Sequence, residues 1–149
     1  MERIAWCIRK KEGIRIIEPD REISTAYLER SRSDFLEIKK QNKTWKVIIS
    51  YYECYNAIYA VLARYGIKSE IHSCTIDLMR FFKRLSNHRR FMVELKEMRH
   101  DTQYYLKQAE GPRIDAILEL IGECEKEIVE CNQEKIEALG RKLRSIPQD

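Results

Sequence analysis

Seven consecutive residues, Arg99-His100-Asp101-Thr102-Gln103-Tyr104-Tyr105, bring together a permanent cation, a titratable ring, a carboxylate and two phenols. An arginine can clamp a phosphate through two parallel N–H donors while a neighbouring polar group positions a nucleophile. A plainer arrangement, an Arg99–Asp101 ion pair holding a loop, uses the same residues, and the spacing alone favours it. Just upstream lies a basic block: Arg80, Lys83, Arg84, His88, Arg89, Arg90, Lys96 and Arg99. Residues 79–100 hold seven Lys or Arg against Glu94 and Glu97, net +5. Such a block can neutralise several phosphates, with binding that weakens steeply as salt rises; a solvated face has the same composition.

A second group is the run Tyr51, Tyr52, Tyr55 and Tyr59. Rings at this spacing ordinarily fill a core with their hydroxyls at its edge. Base stacking would instead need exposed rings beside cations. Ser50, Ala57 and Ala60 share a narrow stripe with Lys46, Glu53 and Arg64, and small side chains let another helix approach closely. That helix is either a bundle neighbour or a second copy of the chain.

Other chemistry is excluded by what is missing. The chain has no phosphate-cradling glycine loop, dinucleotide fingerprint, nucleophile elbow or H-E-x-x-H. His72, His88 and His100 share no metal-ligand spacing with each other or with the cysteines, so no metal and no cofactor is expected. Cys7, Cys54, Cys74, Cys124 and Cys131 are an odd count without a C-x-x-C pair, and read as small buried hydrophobes in a reducing compartment.

Helices must position these groups. Met1–Ile16 is ambiguous: Ile4, Cys7 and Ile8 have helical spacing, while Ile14, Ile16 and Ile17 alternate like a strand, and a short helix ending near Gly13 is favoured. Pro19-Asp20 starts a clearer helix with Ile23, Tyr27, Phe35 and Ile38 as its apolar side. Trp45–Tyr65, capped by Asn42 or Thr44 and closed by Gly66, is apolar over most of its circumference and belongs at the centre of a bundle. A helix from Ser73 or Cys74 to about Leu85 follows, with Ile76, Leu78, Met79, Phe82 and Leu85 turned inward. Arg90–Met98 is helical through Phe91, Val93, Leu95 and Met98, whereas residues 99–111 either extend that helix or run irregularly. After Pro112, Ile114, Ile117, Ile121, Cys124, Ile128 and Cys131 form an amphipathic face. The register slips at Asn132, which caps a further helix through Ile136, Leu139, Leu143 and Ile146.

The composition agrees. The chain has 149 residues, enough for one domain with a proper core. It is 44% hydrophobic and 35% charged, with five Gly and three Pro, too few turn formers for a many-stranded barrel. No apolar run approaches the ~18 residues of a membrane-spanning helix, and Met1-Glu2-Arg3 leads no signal pattern, so a cytoplasmic protein is expected. Net charge is +4, divided into +7 over residues 1–111 and −3 over 112–149. Such a balance permits nucleic-acid contact without requiring it.

Ser50-Tyr51-Tyr52-Glu53-Cys54-Tyr55-Asn56-Ala57, preceded by Trp45 and an apolar run, resembles the S-x-Y-Y-x-x-Y-x-A helix of HEPN domains. The likeness extends through Leu62-Ala63-Arg64-Tyr65-Gly66, His72 and the Arg99 segment, about residues 20–130. It implies an up-and-down bundle of four or five helices, homodimerisation in many members, and in many a minimal nucleotidyltransferase partner within prokaryotic toxin–antitoxin modules. It also implies that residues 99–111 connect to the last bundle helix. The ribonuclease branch carries R-x(4–6)-H, in which Arg binds phosphate and His assists attack by a 2′-hydroxyl. Here Arg99 takes the arginine place, but after four intervening residues comes Tyr104. Arg84–His88 has three residues between, and Arg80–His88 and Arg64–His72 have seven. Tyrosine, with an ordinary pKa near ~10, is a poor general base at neutral pH. The segment is closer to the R-x-D-x-x-Y variant of non-toxin members, for which the resemblance implies binding or assembly.

The expectation is therefore an all-α, up-and-down bundle of four to five antiparallel helices with extra terminal helices. Its core covers residues 20–131, and 132–149 form a C-terminal extension. The expected function is non-catalytic: a nucleotide- or RNA-binding or partner-docking homodimer. Arg99, Asp101 and Tyr104, with Arg64, Arg80 and His72, would line the ligand groove, and Ser50, Ala57 and Ala60 would form the helix or dimer contact. The alternatives are a divergent, metal-independent ribonuclease using His72, His88 or His100 as base, and a purely structural dimer.

Overall fold

Apolar on most sides, the central segment needs neighbours all round, and in the computed structural model it has them. The structure describes residues 1–106 and 111–148. The chain forms α1 (Glu2–Arg9), β1 (Arg15–Ile16), α2 (Arg21–Phe35), α3 (Lys43–Tyr65), β2 (Ile67–Lys68), α4 (His72–Leu78), α5 (Arg89–Tyr104), α6 (Ile114–Val129) and α7 (Gln133–Arg144). Helix α3 is the axis of this all-α bundle, packed by α2, α5 and α6, with α1, α4 and α7 around the rim. The core runs from Ile4, Tyr51, Ile58 and Leu62 through Met79, Met92 and Leu95 to Ile117, Leu120 and Cys124, all at most 1% exposed. Burying each large apolar side chain contributes about 1.5–3 kcal/mol.

Local chemistry sets the ends of α3. Asn42, one of two predicted caps, accepts from Trp45 N at 3.0 Å. At the other end Gly66 adopts φ 74°, and a Cβ there would lie 2.5 Å from the Ile17 carbonyl oxygen. Only glycine combines that left-handed backbone with that contact. The same turn holds a two-residue antiparallel ladder, Arg15 opposite Lys68 and Ile16 opposite Ile67. Both halves of the ambiguous N-terminus thus form: the helix stops at Arg9, before Gly13, and the strand follows.

Helix α2 runs antiparallel to α3 and lies on the small-residue stripe. Ser24 Oγ donates to Ala60 O at 2.7 Å and Ser31 Oγ to Glu53 O at 2.8 Å. Ser50, Ala57 and Ala60 are 0% exposed, so the stripe is an internal contact and is not available to a second copy. This docking corrects one position of the apolar side expected for α2: Ile23 is exposed, and Ser24 and Ser31 are the helix's buried positions, while Tyr27 and Phe35 are half-buried and Ile38, just past the helix, is buried. Close helix approach rewards small side chains at the contact rather than large apolar ones.

Two boundaries differ from expectation. The helix expected to reach Leu85 ends at Leu78 and continues as a 3₁₀ turn, Met79–Phe81, because Phe82 becomes extended and packs edge-on against Tyr65. Its five predicted inward residues are nevertheless all buried. Helix α5 continues through Tyr104, so Arg99 and Asp101 stand on a helix and not on the connection that the resemblance implied. The rest of that connection, residues 107–110, lies outside the described residues. Asn132 caps α7 by accepting from Lys135 N at 2.9 Å, which gives the expected break and excludes one long C-terminal helix.

One expectation for the cysteines is overturned. Cys7 on α1 and Cys74 on α4 form a disulfide, their Cα atoms 5.8 Å apart. The spacing of five cysteines gave no pairing, and only the packing of α1 across α4 brings these two together. Cys54, Cys124 and Cys131 are free and buried, as expected.

Candidate functional site

The face where α5 and the start of α4 meet α3 gathers the most chemistry. The Arg99 guanidinium lies over the Tyr51 ring, 4.5 Å from its centroid, and its Nη1 donates to Tyr52 Oη at 3.0 Å. Tyr51 is wholly buried, whereas Tyr52 is 39% exposed. Arg99 Nε is buried and has no hydrogen-bond partner among the described residues. Residues 51, 52 and 55 present their rings around α3, and His72, first residue of α4, stacks on Tyr55 with centroids 4.3 Å apart. Nδ1 of His72 is 2.7 Å from Tyr51 Oη.

Charge states follow from these surroundings. Burial holds the Tyr51 hydroxyl protonated well above the ordinary tyrosine range, and Arg99 offsets that only in part. Burial also lowers the His72 pKa, and the positive charges of Arg99 and Lys96 lower it further. The imidazole is therefore neutral at pH 7. Tyr51 Oη and His72 Nδ1 share one hydrogen bond, which the hydroxyl makes as donor or as acceptor according to the imidazole tautomer. The result is a pair of cations, Arg99 and Lys96, beside the His72 imidazole and an exposed phenol ring. Such a face can hold an oxyanion and stack a planar group.

The other predicted site residues scatter. Arg64 is buried on the far side of α3, where its Nη2 donates to Cys131 O at 3.3 Å. Arg80 and Asp101 line a separate cavity between α4 and α5. Tyr104, exposed at the end of α5, packs its ring against His100. For Asp101 and Tyr104 the cause is helix period, since residues two or five positions from Arg99 point away from its face; Arg64 and Arg80 stand on other elements whose packing turns them elsewhere. Arg99 and Asp101 form no ion pair among the described residues.

The basic block is likewise divided. Arg84 pairs with Glu123 at 3.3 Å and Glu130 at 2.6 Å on α6, and Arg90 with Glu94 at 3.2 Å. Arg80 and Arg89 turn to Asp77. Only Arg99 and Lys96 contribute to the tyrosine face. No group of three His, Cys, Asp or Glu among the described residues could hold a metal ion.

Sequence reasoning placed Tyr51 and Tyr55 correctly in the core but missed Lys96 as a neighbour of His72 and missed Tyr52 as the exposed member of the cluster. The one available signal was period: Tyr52 falls on the side of α3 away from Cys54, Ile58 and Val61. A scan against protein-family models, a search of curated proteins and a search of solved structures each found no match to this chain.

Proposed function

We propose that this chain is a HEPN-like domain that binds a nucleotide or RNA phosphate at the Arg99 face and does not cleave it. The observation that carries this reading is the Arg99 guanidinium, held between Tyr51 and Tyr52 with an unpartnered Nε–H and with Lys96 and His72 beside it. Two conjugate ring contacts keep the side chain in place before a ligand arrives, which lowers the ordering cost of binding. Tyr104 at the place of the motif histidine supports binding over cleavage, because a phenol is a poor general base at neutral pH. A nucleotidyltransferase partner belongs to the same proposal. If the domain dimerises, it does so through a surface other than the Ser50–Ala57–Ala60 stripe, which is covered within the chain.

Titration of a fluorescein-labelled single-stranded RNA at low salt, with a denaturing gel on the same samples, tests the reading. The expected result is saturable binding, weakened at least about tenfold by Arg99→Ala, with the RNA intact. Absence of binding at low salt would sink it. Arg99-dependent cleavage would replace it with the ribonuclease reading, for which His72 is the one histidine beside Arg99: His88 lies with Arg84 in another groove and His100 on the opposite side of α5.

A further inference from the structure

The cavity between α4 and α5, closed at one end by α1, has a volume of about 490 Å³ and shares Lys96 with the Arg99 face, but not Arg99, Tyr51, Tyr52 or His72. Its cationic end is built on one buried carboxylate. Asp77, with its side chain 7% exposed, receives Arg89 through Nε at 3.1 Å and through Nη2, Arg3 through Nε at 3.3 Å, and Arg80 through Nη2 at 3.7 Å. Three guanidiniums, from α1, α5 and the 3₁₀ turn after α4, thus share one negative charge, leaving an excess of positive charge in a partly enclosed space. All three remain partly exposed, at 54% for Arg3, 30% for Arg80 and 38% for Arg89; Arg80 also donates through Nε to the Asp77 carbonyl at 3.1 Å and through Nη1 to Met1 Sδ at 3.9 Å, so the donors left to face a ligand are chiefly those of Arg3 and Arg89. Mutual repulsion of the guanidiniums is relieved by a second anion.

The opposite end has the reverse character. Arg89, Val93, Glu97 and Asp101 recur at fourfold spacing on one face of α5, which places the two carboxylates about 12 and 18 Å along the axis from Arg89. Ile76 and Val93 give the floor an apolar stretch between the ends. We infer that this cavity is a second binding site, for a small phosphomonoester whose organic part carries hydroxyl groups. The phosphoryl oxygens sit on Arg3, Arg80 and Arg89, and a hydroxyl donates to Glu97; Asp101 lies beyond the span of a pentose phosphate. The site rests on other arginines than the Arg99 face and survives if that reading fails.

Amide chemical shifts of the full-length, disulfide-intact protein, followed during titration with ribose 5-phosphate, inorganic phosphate and ribose, test the site. Ribose 5-phosphate is expected to saturate with shifts centred on residues 73–80 and 89–101, inorganic phosphate to bind more weakly to the arginine end, and ribose to give nothing. Arg3→Ala leaves Asp77 two arginine partners and should fold; it and Arg80→Ala should each weaken binding about tenfold. Glu97→Gln should weaken ribose 5-phosphate and spare phosphate, and Arg99→Ala should spare both. Non-saturating shifts for both anions, or binding that Arg3→Ala and Arg80→Ala leave unchanged, overturns the proposal and makes the arginines a clamp between helices only.

Discussion

The buried hydroxyl of Tyr51 lies 2.7 Å from Nδ1 of His72, and it joins the axis of the bundle to the first residue of α4. The hydroxyl can donate to a neutral imidazole or accept from a protonated one, so the bond favours neither charge state; burial first, then the charges of Arg99 and Lys96, depress the His72 pKa. Arg99→Gln removes one of those charges and should raise the His72 pKa toward its ordinary value, while Tyr51→Phe should leave it depressed. The imidazole proton resonances against pH provide the measurement, and an unchanged titration in Arg99→Gln would mean that Arg99 does not reach the ring.

How far the chain could be read in advance divides along local and non-local lines. The Asn42, Gly66 and Asn132 helix ends were legible because each depends on a side chain or a φ angle within three residues. The central position of α3 was legible because an all-round apolar surface has one physical solution. The candidate site was half legible: Arg99 and His72 were named, but their meeting through Tyr51 and Tyr52 depends on how α4 and α5 cross α3. The pairing of Cys7 with Cys74 and the convergence of Arg3, Arg80 and Arg89 on Asp77 were not legible. Each joins segments that no periodicity relates.

Salt dependence separates the Arg99 face from the rest of the basic surface. If RNA phosphate is bound there, Arg99→Ala should reduce the slope of log affinity against log salt by about one. Arg84→Ala should leave the slope unchanged, since Arg84 is already paired with Glu123 and Glu130. Equal losses for the two variants would point to diffuse attraction and no defined phosphate site.

Reduction of the disulfide should loosen α1. The bond closes a separation of 67 residues, for which unfolded-state entropy predicts roughly 4 kcal/mol and engineered examples commonly give 2–4. For a chain of this size the melting temperature should fall by about 5–15 °C in reducing buffer. Binding of ribose 5-phosphate should weaken in parallel, because Arg3 rides on α1. A melting temperature insensitive to reductant would show that Ile4 and Cys7 packing holds α1 unaided.

Glu53 gives the fold a pH dependence of definite sign. Its carboxylate is 0% exposed, neither oxygen has a hydrogen-bond partner among the described residues, and burial reinforced by Asp34 raises its pKa to about 8. An unfolded glutamate titrates near ~4.3, so between about pH 5 and 8 the native chain holds a proton that the unfolded chain has released. Stability from this group is therefore present at acid pH and lost as pH rises, by at most about 1.4 kcal/mol per unit. His72 acts oppositely: its depressed pKa costs stability as pH falls below ~6.5, and it contributes no slope above neutrality. Cys54, Cys124 and Cys131, whose thiol pKa values burial also raises, add a decline toward pH 8, so Glu53 is read from the difference between wild type and Glu53→Gln. Wild-type melting temperature should decline from pH 7 to 8 more steeply than that of Glu53→Gln, the same shape without the charge, which should be more stable at pH 8 by about 1–3 kcal/mol. An equal decline in the two would assign the slope to the thiols and place a partner on the Glu53 carboxylate.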